Sequence, residues 1–480
     1  MNKRLIVKTI SLGISCIMLA SCALGTKLPK LSADKPITLT LWHYYNGKQK
    51  TAFDEQVTEF NETVGTQKGI VIQAFGQGNI GDLTNKVMDA AQKKVGAGEI
   101  PNIFAAYTDT AFAIDKLGLA ASLDEYLINL ERDEYIEEYL SEGRFGADGS
   151  LKIFPIAKSV ELMMINKTDW DKFAVATGAD VKKLATIEGV TQTAEQYYNW
   201  TDSQTQQPND GKAFFGRDAM ANYMLIGAKQ MGVDVFSVSD DKARLNTDKA
   251  VIKRLWDNYY IPFVKGYFTA NNRFRTDDIK TGNIIALVGS SSGTTYFPDK
   301  VNISDTESYP IERLILEAPI FEGGEKYAVQ QGAGMVVTRS TPQAEYASTI
   351  FLKWLTEEQR NIKFAVDSAY LPVKKSSCDI NKITQALIET QNDTIDSFEK
   401  SLNTVNNYKL YTSKPFNGGL EARAILEKSM ASAAATDRAA VLEAMASGAT
   451  RDEALAKYLT ESRYDDWYTE FDTALNSIAQ

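Results

Sequence analysis

Hydrophobic positions along the chain follow two periods. Ile37-Thr38-Leu39-Thr40-Leu41-Trp42 is apolar at every second residue, which predicts a strand. Phe53, Val57 and Phe60 recur at helical spacing, giving the next segment one apolar face. Ile70 to Phe75 reads as a second strand, Leu83, Val87, Ala90 and Ala91 mark a helix, and Asn102 to Tyr107 a third strand. Strand–helix–strand repetition with short connections predicts right-handed βαβ units and a mostly parallel sheet. A second alternating block begins at Ile153, with Phe154-Pro155-Ile156 and then Leu162 to Asn166. Thr186 to Gly211, rich in Thr, Gln, Asn and Asp, reads as helix ends and loops. Ile284 to Val288 and Gly334 to Thr338 read as buried strands. Thr341-Pro342 starts a helix with Ala347, Ile350, Phe351 and Trp354 on its apolar face, and Thr356 with Gln359 forms a capping box for the next. From about Ser376 the pattern is helical, Ala-rich around Ala431 to Ala446.

Composition narrows this picture. At 480 residues the chain exceeds one comfortable core and should divide into two or more lobes. A content of 44% hydrophobic and 24% charged residues excludes wholesale disorder. The net charge of −10 repels phosphate backbones, so no nucleic-acid partner is expected. One histidine, His43, and three cysteines, Cys16, Cys22 and Cys378, leave too few ligands for a clustered His/Cys metal site, and nothing calls for a cofactor. Any Ser-His-Asp or Cys-His catalyst would have to use His43.

The first residues form an export signal. Lys3, Arg4 and Lys8 precede a short apolar stretch from Thr9 to Ala20, too short for a permanent spanning helix. Leu19-Ala20-Ser21-Cys22 resembles the bacterial lipobox, which implies cleavage after residue 21, lipid on Cys22 and a tether over residues 22–33. Gly76-Gln77-Gly78-Asn79-Ile80-Gly81 has the spacing of a pyrophosphate cradle, but its strand is not the first of its sheet and no acidic residue ends the next strand at the right distance. We read it as a flexible strand-to-helix loop with Asp82 as N-cap.

Four segments carry a family resemblance. They are the opening strand ending Trp42-His43-Tyr44 with Phe60-Asn61 on its helix; Ala97-Gly98-Glu99-Ile100-Pro101-Asn102-Ile103-Phe104 with Leu117-Gly118-Leu119-Ala120 and Leu123-Asp124-Glu125-Tyr126-Leu127; Phe154-Pro155-Ile156-Ala157-Lys158-Ser159 with Ile165-Asn166-Lys167; and Phe351-Leu352-Lys353-Trp354-Leu355-Thr356 with Tyr370-Leu371-Pro372-Val373. In this order they resemble the family 1 extracellular solute-binding proteins of ABC importers, the maltose- and glycerol-phosphate-binding kind. Asn102 stands where that family usually has Asp, and Ile165 where it has Tyr. The resemblance implies an α/β protein of two lobes, each a mostly parallel sheet flanked by helices, with a ligand cleft between them. Residues 34–150 with 329–372 would form the first lobe, and 151–328 with 373–480, including the helical tail, the second. It further implies a monomeric, non-enzymatic lipoprotein outside the cytoplasm that delivers a carbohydrate to permease subunits and, through them, to ATPases.

Loops following strands are the candidate ligand contacts. They hold His43, Tyr44, Tyr45 and Asn46; Tyr107 and Asp109; Ser159 and Glu161; and Ser291, Ser292 and Tyr296 beside Gly289 to Gly293. Aromatic faces with carboxylates and amides suit sugar C–H faces and hydroxyls. The same tyrosines suit half-buried packing, Asp109 a helix N-cap, Glu161 a solvated strand position, His43 a satisfied structural role and the serines a turn. A phosphorylated-polyol ligand would instead require Arg or Lys beside Ser290 to Ser292, with Lys158, Arg217 and Arg273 as candidates. An exported glycoside hydrolase would need two carboxyl groups about 5 to 10 Å apart in the cleft, and a structural surface protein would bind no solute at all.

Overall fold

The computed structural model describes residues 28–146, 148–239, 241–390 and 393–478; the signal segment and Cys22 lie outside the described residues. Two sheets organise the chain. The first has the order β2–β1–β3–β14–β4, built from β1 (Ile37–His43), β2 (Ile70–Gly76), β3 (Ile103–Ala106), β4 (Ile153–Phe154) and β14 (Gly334–Val337). Alternation in β1 turns Leu39, Leu41 and His43 inward, whereas all four residues of β3 are buried because helices cover both faces. The second has the order β12–β5–β9–β6, from β5 (Glu161–Asn166), β6 (Phe215–Arg217), β9 (Ala286–Ser290) and β12 (Arg313–Glu317). β7 (Phe236–Ser239) and β8 (Lys242–Leu245) form a hairpin, and β10 (Lys300–Asn302) pairs with β11 (Ser308–Pro310).

Pairing is more mixed than the repetition of strand and helix predicts. β1–β2, β1–β3 and β6–β9 are parallel, as βαβ units require. β14 runs antiparallel to β3 and β4, and β5 antiparallel to β9 and β12. β14 follows a crossing segment, and so does β5; neither enters its sheet through a helical crossover, so no handedness rule makes them parallel.

Each sheet has its own core. Leu39, Phe53, Phe60, Phe104, Phe154, Val336, Phe351 and Trp354 belong to one cluster, and Met163, Phe173, Phe214, Trp256, Leu426 and Trp467 to the other. Three segments cross between them as a short ladder: Lys158 bridges Leu371, and Ser159 bridges Gln331, both antiparallel. A fourth crossing is β15 (Lys409–Tyr411), which lies parallel to β13 (Tyr327–Val329). Before it, the helices Ile380–Thr390 and Ile395–Asn407 pack Ile383, Leu387 and Phe398 against Ile362, Val366 and Leu371. The architecture is thus two α/β lobes with a cleft between them.

Several local expectations change. Thr186 to Gly211 contains the helix Ile187–Asp202, capped by the Thr186 side chain on Gly189 N. Its polar composition masks a buried face of Ile187, Val190, Ala194, Tyr197 and Tyr198, which tertiary packing rewards despite weak propensity. The N-cap after β2 is Asn79; Asp82 closes the capping box from the third helical position. Thr356 does not cap the following helix, whose N-cap is Glu357. Its hydroxyl instead donates back to Leu352 O at 3.1 Å and pairs with the buried Tyr135 hydroxyl at 2.6 Å. The tail is helical as read except at β15, which interrupts it as a strand paired with β13; its longest helix is Gly419–Ala446 at 28 residues.

Candidate functional site

The cleft is built where strand ends from the two sheets converge. On the first lobe β3 ends at Ala106, and Tyr107 serves as N-cap of the helix Thr108–Lys116. Asp109 lies in that helix's first turn, where the backbone dipole favours a carboxylate. On the second lobe Glu161 opens β5 opposite Ser290, and Arg217 closes β6 opposite Val288. Ala219, in the left-handed region at φ 54, turns the chain directly into the helix Met220–Gln230 and sets Asn222 in its first turn.

These residues form linked, buried polar chains. Arg217 Nη2 donates to Glu161 Oε2 at 2.9 Å, and Asn222 Nδ2 donates to Glu161 Oε1 at 3.1 Å. Asn222 Oδ1 accepts from Arg423 Nη2 at 2.9 Å, so one amide joins two arginines through a single carboxylate. The Arg423 guanidinium stands 5.8 Å from the Tyr107 ring centre. At the crossing ladder Lys158 Nζ donates to Glu142 and to Gly332 O, and Gln330 Nε2 donates to the same Glu142 carboxylate. Burial pushes the Asp109 carboxyl above its ordinary value, with the Arg423 charge opposing; burial likewise raises the Tyr107 hydroxyl.

Two adjoining cavities share Asn222, Ile226 and Val329 as walls. One holds Tyr107, Asp109, Glu142, Gln331, Tyr411 and Arg423; the other holds Glu161, Arg217, Tyr223, Tyr327 and Tyr408. Water can occupy only ≈ 30 Å³ in each. Small-molecule sites are about 300 Å³ or more, so neither cavity holds one in this arrangement of the lobes. They touch at both rims: Tyr296 Oη donates to Asn46 O at 2.9 Å, Gln49 Nε2 to Ser292 O at 3.4 Å, and Lys116 pairs with Asp241.

The sequence candidates therefore fall into three groups. Tyr107, Asp109 and Glu161 wall the cavities. Ser159, Ser291, Ser292 and Tyr296 gather at the other rim. There the Ser290 hydroxyl meets those of Ser159 at 3.0 Å and Ser292 at 2.9 Å, and Ser291 Oγ accepts from Val160 N at 3.4 Å. The remaining four sit around the end of β1. His43 is 0% exposed and Tyr45 is 1% exposed; both pack on Phe53. Tyr44 shares a 3.0 Å hydrogen bond with the Tyr370 hydroxyl, and Asn46 donates to Tyr44 O and Gly78 O. Sequence reasoning missed Glu142, Asn222, Gln330 and Arg423. Arg423 had no local signal, because its helix carries charges around its circumference and belongs to a tail without a motif.

A sequence profile of the family described as "bacterial extracellular solute-binding protein" matches residues 55–390. No curated protein matches the sequence. Among solved structures, the cyclic alpha-maltosyl-1,6-maltose binding protein of Arthrobacter globiformis superposes with a TM-score of 0.64 at 16% identity, covering 92% of this chain and 99% of that one. UgpB from Mycobacterium tuberculosis, in complex with glycerophosphocholine, gives 0.64 at 16% identity, with 92% and 99% covered. The GacH receptor of Streptomyces glaucescens, solved unliganded and with acarbose, gives 0.64 at 13% identity, with 90% and 98% covered. The profile spans most of the chain, and the fold of two lobes around a polar, aromatic cleft agrees with it: the chain belongs to the bacterial extracellular solute-binding protein family.

Proposed function

We propose that the protein is the lipid-anchored capture component of an ABC importer, held to the membrane through Cys22, and that its solute is a carbohydrate passed on to the permease. The observation that carries this reading is the make-up of the cavity walls. Tyrosine faces from both lobes and the crossing strands surround amides and the Asp109 carboxylate, polar groups suited to sugar hydroxyls. Structural relatives named for maltose-type sugars and acarbose support it by analogy.

The phosphorylated-polyol reading has one relative in its favour, the glycerophosphocholine complex. The side chains favour it less. Lys158 is bound to Glu142, Arg217 to Glu161, and Arg273 stacks on Phe274, while the serine rim bonds to other hydroxyls and to backbone. A thermal-shift screen of the purified protein should separate the readings. Saturating ligand raises stability as RT ln(1 + [L]/Kd), about 2.7 kcal/mol at a hundredfold excess over Kd. A shift with a mono- or oligosaccharide, recovered unaltered after incubation, supports a non-enzymatic carbohydrate receptor. A shift with glycerol phosphate or glycerophosphocholine alone replaces it, and recovered cleavage products would make the protein an enzyme.

A further inference from the structure

Asp109 meets the start of the Gly419–Ala446 helix across the cleft. That helix begins after Gly418, left-handed at φ 86, with no side chain capping its first turn. Its leading N–H groups therefore carry the positive end of a 28-residue helix without a local acceptor side chain. Asp109 occupies the space in front of it: a Cβ on Gly419 would lie 2.9 Å from Asp109 Oδ1 and 3.5 Å from its Cγ. One turn later Arg423 holds Asn222 and faces Tyr107. On the same rim Asn417 N donates at 3.1 Å to the carbonyl of Asp241, whose side chain pairs with Lys116. Lobe membership is unambiguous, since Ala106 and Ala111 flank Asp109 in one core while Ala422 and Leu426 sit in the other. All the second-lobe partners at positions 417–423 lie beyond residue 390, where the family profile ends.

We propose that Asp109, Gly419 and Arg423 are positioning residues that form the closure contact, holding the lobes together over a captured solute. The first lobe's Asp109 sits against the helix terminus of the second lobe, whose Arg423 faces Tyr107 of the first, and Gly419 is glycine because any side chain there would hold the carboxylate off. The inference rests on the lobes parting to admit a solute, not on which solute that is.

The test uses the full chain with Cys16→Ser, Cys22→Ser and Cys378→Ser, spin-labelled at Val95→Cys and Val175→Cys, which are exposed on opposite lobes. Double electron–electron resonance then reads the interlobe distance with no solute added. Gly419→Ala should move the distribution to longer distances, reducing the closed fraction roughly tenfold, the scale of one overpacked contact, because the added Cβ would lie 2.9 Å from Asp109 Oδ1. Its thermal midpoint should hold or rise, since Ala is the better helix former, and a merely structural glycine would leave the distances alone. Asp109→Asn and Arg423→Met should shift the distribution the same way, and they decide the matter if Gly419→Ala fails to fold. Distances in Gly419→Ala and Asp109→Asn that match the parent overturn the proposal. So does a parent without a short-distance population, because the contact is between protein groups alone. As no solute is needed, failure here leaves the carbohydrate reading standing, and an empty sugar screen leaves this contact standing.

Discussion

His43 is the chain's one histidine, and the structure makes it a specific probe of stability against pH. Its Nδ1 accepts the Tyr45 N–H at 3.2 Å, which fixes the proton of the neutral ring on Nε2. Nε2 is buried without a hydrogen-bond partner, and the ring lies against Tyr45 and Phe53. Charging the ring means placing a second proton where Tyr45 N–H already points, in a site closed off from solvent. Burial accordingly lowers the imidazole from 6.5 to about 4, with Asp54 opposing and Lys50 reinforcing. Between these values the unfolded chain takes up the proton and the folded protein does not. Folding stability is therefore fully present above pH 6.5 and falls as the pH drops towards 4. Each pH unit of that gap is worth about 1.4 kcal/mol, so the loss approaches about 3 kcal/mol. Carboxylates titrate over the lower part of the same window, so the measurement is a difference. Urea midpoints of the parent and His43→Asn are compared from pH 7.5 to 4, Asn keeping an acceptor for Tyr45 N–H. The parent should show the steeper decline, and its single imidazole proton resonance should titrate near 4. Parallel profiles, or a resonance titrating at 6.5, would falsify the account of this site.

Three further outcomes follow from particular contacts. Arg217→Met leaves Glu161 buried without its counter-charge and should cost about 3 to 5 kcal/mol by chemical denaturation, whereas Arg217→Met with Glu161→Gln should recover most of it; a single variant within about 1 kcal/mol of the parent would mean the pair is screened by solvent. Gly189→Ala would normally stabilise a helix by about 1 kcal/mol. Here its Cβ would meet the Lys183 carbonyl oxygen at 1.9 Å, so a lowered thermal midpoint is expected, and a raised one refutes the packing. The Cys378 thiol, pushed up to about 12 by burial, should resist a disulfide reagent at pH 8 in the folded protein and react on unfolding, which absorbance reads directly; fast labelling of native protein contradicts its placement.

Most of the architecture was legible because most of its elements satisfy one period. Ile37–His43 alternates, the helix carrying Phe53, Val57 and Phe60 keeps a single stripe, and the all-apolar β3 announces a strand covered on both faces. Most of the failures share a cause. The helix Ile187–Asp202 hides its face among Thr, Gln and Asn, whose preference for caps and turns is a local bias that burial of Tyr197 and Tyr198 overrides. The Asn79–Asp82 capping box is a four-residue pattern that could have placed the cap one turn earlier, whereas capping at Glu357 in place of Thr356 depends on where the chain arrives in space. Strand direction in the second sheet was illegible for a related reason: β5 enters from a crossing segment, and sequence order alone does not say from which side.

The cleft was legible only as far as topology reaches. Ends of β3 and β9 and the start of β5 could be named, and Tyr107, Asp109 and Glu161 do wall the cavities. Those positions are strand ends by rule, whereas their partners are not. Glu142 follows a short helix, Asn222 opens one, and Arg423 lies on another more than 200 residues from Asn222. What selects these residues is mutual satisfaction in a desolvated place. Glu161 accepts from Arg217 and Asn222, and Glu142 from Lys158 and Gln330, so neither carboxylate is left bare. Apolar residues of equal volume could hold the lobes as firmly, since a buried ion pair gains little over good packing. Packing alone would not fix where donors and acceptors point when the lobes open and water enters. Holding each carboxylate from two sides, Glu161 by Arg217 and Asn222 and Glu142 by Lys158 and Gln330, fixes those directions, which is the property a cleft for a polar solute requires.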